Sequence, residues 1–218
     1  MTHRPVQRAI KRAFDVVASG VGLVVLSPAL GGLALAIYLD SGRPVIFVSR
    51  RAGLDGRPFG MLKFRTMVPD AIALGRASGS SDDPFGIVKD DPRITRTGRW
   101  LRRTSLDELP QLVNVLRGQM SLVGPRADLV EQAEGYSARE RRRLTVRPGM
   151  TGWAQVNGRD SISWPERFER DLWYVDNWSL WLDARILLRT VGELLRPEPE
   201  PVEDTLNIER SKKRASSP

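Results

Sequence analysis

An uncharged apolar run, Val16 to Leu39, constrains this chain more than any other feature. As a continuous helix rising ~1.5 Å per residue it just reaches across a hydrocarbon core of about 30 Å. Its centre does not suit that role. Ser27-Pro28 interrupts it, and Pro28 has no N–H for the Val24 carbonyl while its ring crowds the same turn. The Ser27 hydroxyl is expected to bond back to the Leu23 carbonyl and favour a bend. Gly20, Gly22, Gly31 and Gly32 add slack on both sides. A chain that bends here enters the membrane and leaves by the same face.

The flanks bear on that reading. Arg4, Arg8, Lys11 and Arg12 precede the run, and Arg43, Arg50, Arg51 and Arg57 follow it. Short basic flanks prefer the cytoplasmic side, and a spanning helix biases them to one end. Here both ends are basic. Three arrangements stay open: a re-entrant helix-break-helix, a spanning anchor and a buried core helix. The symmetric charge favours the first. A cleaved signal peptide fits poorly, because the apolar part is long and no small-x-small site closes it.

The chain has 218 residues and a net charge of +8, with no cysteine and one histidine, His3. Disulfides and thiolate metal sites are excluded. Acid-base or nucleophilic chemistry falls to carboxylates, Lys, Tyr or hydroxyls. The excess of positive charge points to an anionic partner: a phospholipid bilayer, a nucleotide or nucleic acid. No helix-turn-helix, zinc-finger or aromatic RNA-binding signature accompanies it, so no nucleic acid partner is expected. Whether the chain forms a homodimer is left open.

The predicted class is α+β: a re-entrant membrane helix-break-helix over residues 1–40, a mostly helical catalytic domain over 41–196 with a short β-hairpin and amphipathic interfacial helices, and a disordered tail over 197–218 rich in Pro, Glu, Lys and Ser. Val6, Ile10, Ala13, Phe14 and Val17 recur at helical spacing as an amphipathic lead-in. Pro44 to Phe64 reads as the hairpin, turning at Asp55-Gly56. Residues 70–76 read as a short helix and 77–93 as a long loop. Arg99 to Arg103 is a basic helical piece. Leu109, Leu112, Val113 and Leu116 mark a helix ended by Gly118. Residues 128–143 read as a charged helix, Arg147-Pro148-Gly149 as a turn and Trp153 to Val156 as a strand. Two helices close the domain, over 165–176 and 179–196. Their Trp173, Trp178 and Trp181 are assigned to packing rather than to a membrane belt.

The chemistry concentrates in Thr104-Ser105-Leu106-Asp107-Glu108-Leu109-Pro110. Two carboxylates open a helix just after Arg102 and Arg103. One reading is helix capping, with Ser105 and Glu108 as a capping box or Asp107 as the N-cap. The other uses the same physics. A helix start and nearby guanidinium groups favour the ionised carboxylate. An ionised Asp is a nucleophile able to form an acyl phosphate. A carboxylate is also the hard oxygen ligand that Mg²⁺ prefers.

Longer motifs surround this pair. Lys63-Phe64-Arg65-Thr66-Met67, the run from Asp91-Pro92-Arg93 through Ser105-Leu106-Asp107-Glu108-Leu109-Pro110-Gln111-Leu112 to Met120-Ser121-Leu122-Val123-Gly124-Pro125-Arg126, Arg147-Pro148-Gly149-Met150-Thr151-Gly152-Trp153, and Tyr174-Val175-Asp176-Asn177-Trp178 stand in order. Together they resemble the bacterial sugar transferase family, the monotopic phosphoglycosyl transferases, over residues 10 to 195. A re-entrant helix broken at Ser27-Pro28 belongs to the same resemblance. It implies transfer of a phosphosugar from a UDP-sugar to polyprenol phosphate, usually undecaprenyl phosphate, with release of UMP. It implies Asp107 as nucleophile through a covalent phosphosugar intermediate, Glu108 as its partner and Mg²⁺ as cofactor, with Asp107 also the metal ligand. Arg102 and Arg126 fall at phosphate-contacting positions, and Lys63 and Arg65 are expected to line the same site. The implied location is the bacterial inner membrane, with the catalytic domain on the cytoplasmic face. Two positions depart from the family pattern: Ala127, where Pro normally follows Gly-Pro-Arg, and Ser49, where the hairpin usually carries Gln.

Overall fold

The computed structural model describes residues 5–71, 74, 91–158 and 161–194. The expected loop over 77–93 falls on them only at 91–93, and the tail over 197–218 lies outside them. The architecture is mixed, with one long apolar helix and a domain of short helices and two small sheets.

Helix α1 runs from Pro5 to Ser41 without interruption, passing through Pro28. The lead-in and the apolar run are therefore one element, and the helix does not end at Ser27-Pro28. The reason is local. The Ser27 hydroxyl donates to the Val24 carbonyl at 2.7 Å, the acceptor that Pro28 leaves without an amide. The expected bond to Leu23 is replaced by one a residue later. The other surprise is orientation. The apolar residues Val6, Ile10, Phe14, Val17, Val21, Val24 and Val25 are exposed, while Asp15 and Ser19 are buried against the domain. Lys11 donates to Asp183 Oδ2 at 2.6 Å and to the Val123 carbonyl at 3.0 Å. Arg12 donates to the carbonyls of Val115 and Leu116. The polar face docks on protein and the apolar face is left outside, the reverse of an ordinary surface helix. Toward the other end, Ile37 packs with Phe64 and Leu101.

Strands β1 (Ile46–Ala52) and β2 (Pro58–Phe64) form the expected antiparallel hairpin, in register from Ile46↔Phe64 to Ala52↔Pro58. Asp55 and Gly56 both have positive φ, as the turn residues suggest. Helix α2 (Arg96–Arg103) is capped by Thr95, whose side chain accepts from Gly98 N. It packs so closely on the β2 exit that a Cβ at Gly98 would lie 2.0 Å from the Thr66 carbonyl oxygen. A 3₁₀ turn, Leu106–Glu108, leads to helix α3 (Gln111–Leu116).

A second sheet was not foreseen. Strand β3 (Ser121–Val123) pairs in parallel with β4 (Gly149–Thr151). Gly149 is the first residue of β4 and not a turn, and a Cβ there would meet Gly124 N at 2.1 Å. Residues Gln155–Asn157 form a 3₁₀ turn instead of the expected strand. The expected charged helix over 128–143 is also corrected: helix α4 covers only Val130–Glu134, and a 3₁₀ turn spans Glu140–Thr145. A continuous helix would carry Arg143 away from its partners. The buried Arg143 guanidinium bonds Asp128 and Asp171 and lies 4.4 Å from the Phe168 ring centroid.

Helices α5 (Trp164–Asn177) and α6 (Leu180–Leu194) match their predicted extents closely. A capping box of Ser163 and Glu166 starts α5. Of the three tryptophans assigned to packing, Trp178 is buried, whereas Trp173 is half-exposed and Trp181 largely exposed. Tyr174, Ile186 and Val123 form the core between α5, α6 and β3.

Candidate active site

Asp107 and Glu108 sit in the 3₁₀ turn after α2, and neither carboxylate caps a helix. Ser105 is held in the left-handed region at φ 55° and makes no side-chain cap bond, so the capping box does not form. That backbone geometry turns Asp107 inward, where it is buried.

The two carboxylates have different surroundings. Glu108 Oε1 accepts from Lys63 Nζ at 2.8 Å and from Arg126 Nη2 at 3.0 Å. Despite its burial, these two cations hold its carboxyl far below the ordinary range. No hydrogen bond or ion pair among the described residues occupies the Asp107 carboxylate. Burial pushes its pKa up, and the Glu108 charge adds to that, while Lys63, Arg102 and Arg126 pull it down. This inverts the sequence expectation. The carboxylate whose charged form is favoured is Glu108, and in the nucleophile candidate, Asp107, burial favours the neutral form.

Each cation arrives by its own element. Lys63 is carried by β2, opposite Phe47 of β1. Asn114 of α3 fixes that strand to the carboxylate turn. It is fully buried, its Oδ1 accepts from Leu62 N at 2.9 Å, and its Nδ2 donates to the Gly60 carbonyl at 2.7 Å and to Gln119 Oε1. Arg102, at the end of α2, donates through Nε to Thr66 Oγ1 at 2.8 Å. Arg126 follows β3, and Arg143 Nη2 donates to its carbonyl at 3.3 Å.

Arg65 does not join this group. It is buried, and its Nη2 donates to the carbonyls of Ser41 and Gly42 at 2.7 and 2.9 Å and to Ser41 Oγ at 2.8 Å. A guanidinium at the end of α1 answers the last carbonyls and the negative end of the helix dipole. Its Nε and Nη1 are buried with no partner among the described residues.

Three residues at the site escaped the sequence reading. Asn114 and Thr66 position the cations, and both sit inside motifs whose charged members drew the attention. Arg51 feels the charges of Arg126 and Glu108, and its pKa is lowered chiefly by burial. It also joins the two departures from the family pattern. Its Nε donates to Ser49 Oγ at 3.0 Å and its Nη1 to the Ala127 carbonyl at 3.3 Å. Their separation in sequence hid that link.

No group of three or more His, Cys, Asp or Glu side chains is gathered among the described residues. Asp107 offers a carboxylate open to a hard cation, which fits Mg²⁺ held by one carboxylate and the phosphates of a substrate.

A family model for bacterial sugar transferase matches residues 6–197, nearly the whole described chain. The chain belongs to the bacterial sugar transferase family. Within this family it is similar to the uncharacterized sugar transferase EpsL of Bacillus subtilis, with 44% identity covering 87% of this chain and 89% of EpsL. The UDP-glucose:undecaprenyl-phosphate glucose-1-phosphate transferase of Caulobacter vibrioides is 45% identical over 85% of this chain and 69% of its own length. A transferase of the same description from Escherichia coli is 42% identical, but this chain spans only 40% of its length. Sugar transferases of this family thus share, in chains of different size, the segment that holds the carboxylate pair.

Proposed function

We propose that the protein transfers a phosphosugar from a UDP-sugar to undecaprenyl phosphate and releases UMP, as the first membrane step of glycan assembly. The observation that carries this reading is the Asp107 carboxylate, buried, unbonded among the described residues and surrounded by the charges of Lys63, Arg102 and Arg126. Three cations around one nucleophile suit a diphosphate, whose charge they offset.

The chemistry has two displacements at one phosphorus. An Asp107 oxygen attacks the sugar-linked phosphorus, the bond from that phosphorus to the bridging oxygen breaks, and UMP leaves with the electron pair. The sugar phosphate is then bound to Asp107 as an acyl phosphate. An oxygen of undecaprenyl phosphate attacks the same phosphorus and returns the Asp107 carboxylate. Glu108 does not attack: it holds Lys63 and Arg126 in place and raises the basicity of Asp107 by its charge. A Mg²⁺ ion, held on the protein side by Asp107, would neutralise part of the diphosphate charge.

The setting of α1 supports a site at one bilayer face. Its apolar face is outside, yet the helix engages the same domain before its apolar centre, through Lys11 and Asp15, and after it, through Ile37 and Ser41. One folded domain occupies one side of a bilayer, so both ends of α1 belong to that side. A lipid phosphate at headgroup level and a cytosolic UDP-sugar meet there, which favours the cytoplasmic face of the bacterial inner membrane as the location of the domain.

Purified protein given UDP-sugar, Mg²⁺ and undecaprenyl phosphate should release UMP, and Asp107→Asn should reduce release at least ~10⁴-fold, about 5.5 kcal/mol in barrier. Radiolabel from the sugar phosphate should remain on the protein when the lipid is withheld. Release of UMP only when lipid is present, with no labelled protein, would replace the covalent route by direct transfer.

A further inference from the structure

The two cations on Glu108 are each delivered by a strand that α1 grips. Arg126 lies three residues beyond Val123, the last residue of β3, which pairs with the equally short β4, and Arg126 itself forms an isolated parallel bridge with Gly149. That ladder is short, and bonds from outside the sheet add to the placement of the strand. Helix α1 supplies further bonds. Asp15, 3% exposed, accepts the Leu122 amide on Oδ1 at 3.0 Å. One turn earlier, Lys11 donates to the next carbonyl, Val123, at 3.0 Å, while also bonding Asp183. At the far end of α1 the carbonyls of Ser41 and Gly42 take Arg65, two residues past Lys63. One helix therefore touches the chain on the way to both cations.

We infer that Asp15 is a positioning residue for Arg126: by fixing the Leu122 amide it aims β3 so that Arg126 reaches the charge of Glu108 and of a nucleoside diphosphate. The inference rests on the function proposed above. Asp15 touches no reacting atom. It makes the seating of the membrane helix a condition for binding the phosphate. What the Leu122 amide needs is an acceptor oxygen, not a charge, and this separates positioning from electrostatics. Asparagine keeps the acceptor and leucine does not.

The test uses the full chain in phospholipid nanodiscs, with UDP as the probe and calorimetric Kd as the readout, at a temperature well below each variant's Tm. Asp15→Leu should weaken UDP binding about tenfold, and Asp15→Asn should recover most of it. In an Arg126→Ala background Asp15→Leu should weaken binding less than about twofold, because the side chain it aims is gone. A structural role alone would lower Tm in both backgrounds without this dependence. Equal loss in both backgrounds, or no loss in either, overturns the inference. If Asp15→Leu does not fold, Lys11→Met, which removes the donor to Val123 and leaves Asp15 in place, carries the same two expectations. Wild-type protein that binds UDP but releases no UMP from any UDP-sugar would instead sink the proposed function.

Discussion

Lys63→Met removes one charge from the site and keeps the length and apolar stem of the side chain. The Lys63 ammonium lies 2.8 Å from Glu108 Oε1, and both side chains are more than four-fifths buried, so solvent screens the pair poorly. Lys63 is also the largest influence lowering the pKa of Asp107 against burial. Its loss should therefore raise the Asp107 pKa further. In the proposed mechanism Asp107 attacks only when ionised. The acid limb of kcat/KM, followed by UMP release across pH at constant ionic strength, should move to higher pH. On the alkaline plateau, where Asp107 is ionised in both proteins, a residual deficit of about 10²-fold should remain from the lost phosphate contact. The plateau isolates binding and the limb isolates ionisation. An acid limb that stays in place, or moves down, would refute the electrostatic assignment even if the variant were slow.

Glu108→Gln should shift the same limb the opposite way, to lower pH, because its charge raises the Asp107 pKa. The same variant tests stability. The folded-state pKa of Glu108 is far below its ordinary value of 4.5, so its contribution is present above that pH and lost as pH falls through the folded value; Tm measured on acidification should fall less steeply in Glu108→Gln than in the wild type. Asn114→Ala leaves the Leu62 amide and the Gly60 carbonyl without their side-chain partners and should cost about 3 kcal/mol in denaturant unfolding, with KM for the UDP-sugar rising as Lys63 loses its register. Gly98→Ala drives a methyl into the Thr66 carbonyl and should cost about 3 kcal/mol or more, seen as a drop in Tm, whereas Gly31→Ala, which meets nothing within 4 Å, should be neutral or stabilising.

Much of the candidate site was legible in the linear chain because its carboxylates are neighbours in sequence. Asp107 and Glu108 are adjacent, and the lack of cysteine and near-lack of histidine leave carboxylates as the natural reacting groups. The β-hairpin and the last two helices were also readable, since an Asp-Gly turn and a strong apolar period are signals carried by a few neighbouring residues. The helix over 128–143 was misread because charge and propensity suited a helix, whereas burying Arg143 between Asp128 and Asp171 required the chain to break. Arg65 was placed at the site by its proximity to Lys63, and only the fold turned it to the end of α1.

Composition and order alone determined that an apolar segment with a proline at its centre precedes an acidic pair set among arginines, because those are properties of neighbours along the chain. The tertiary structure decided which face of α1 meets protein, which carboxylate is held charged, and which cations surround it. Those depend on burial and on oxygen-to-nitrogen distances between residues as far apart as Lys11 and Asp183, or Lys63 and Glu108, and no local pattern encodes them.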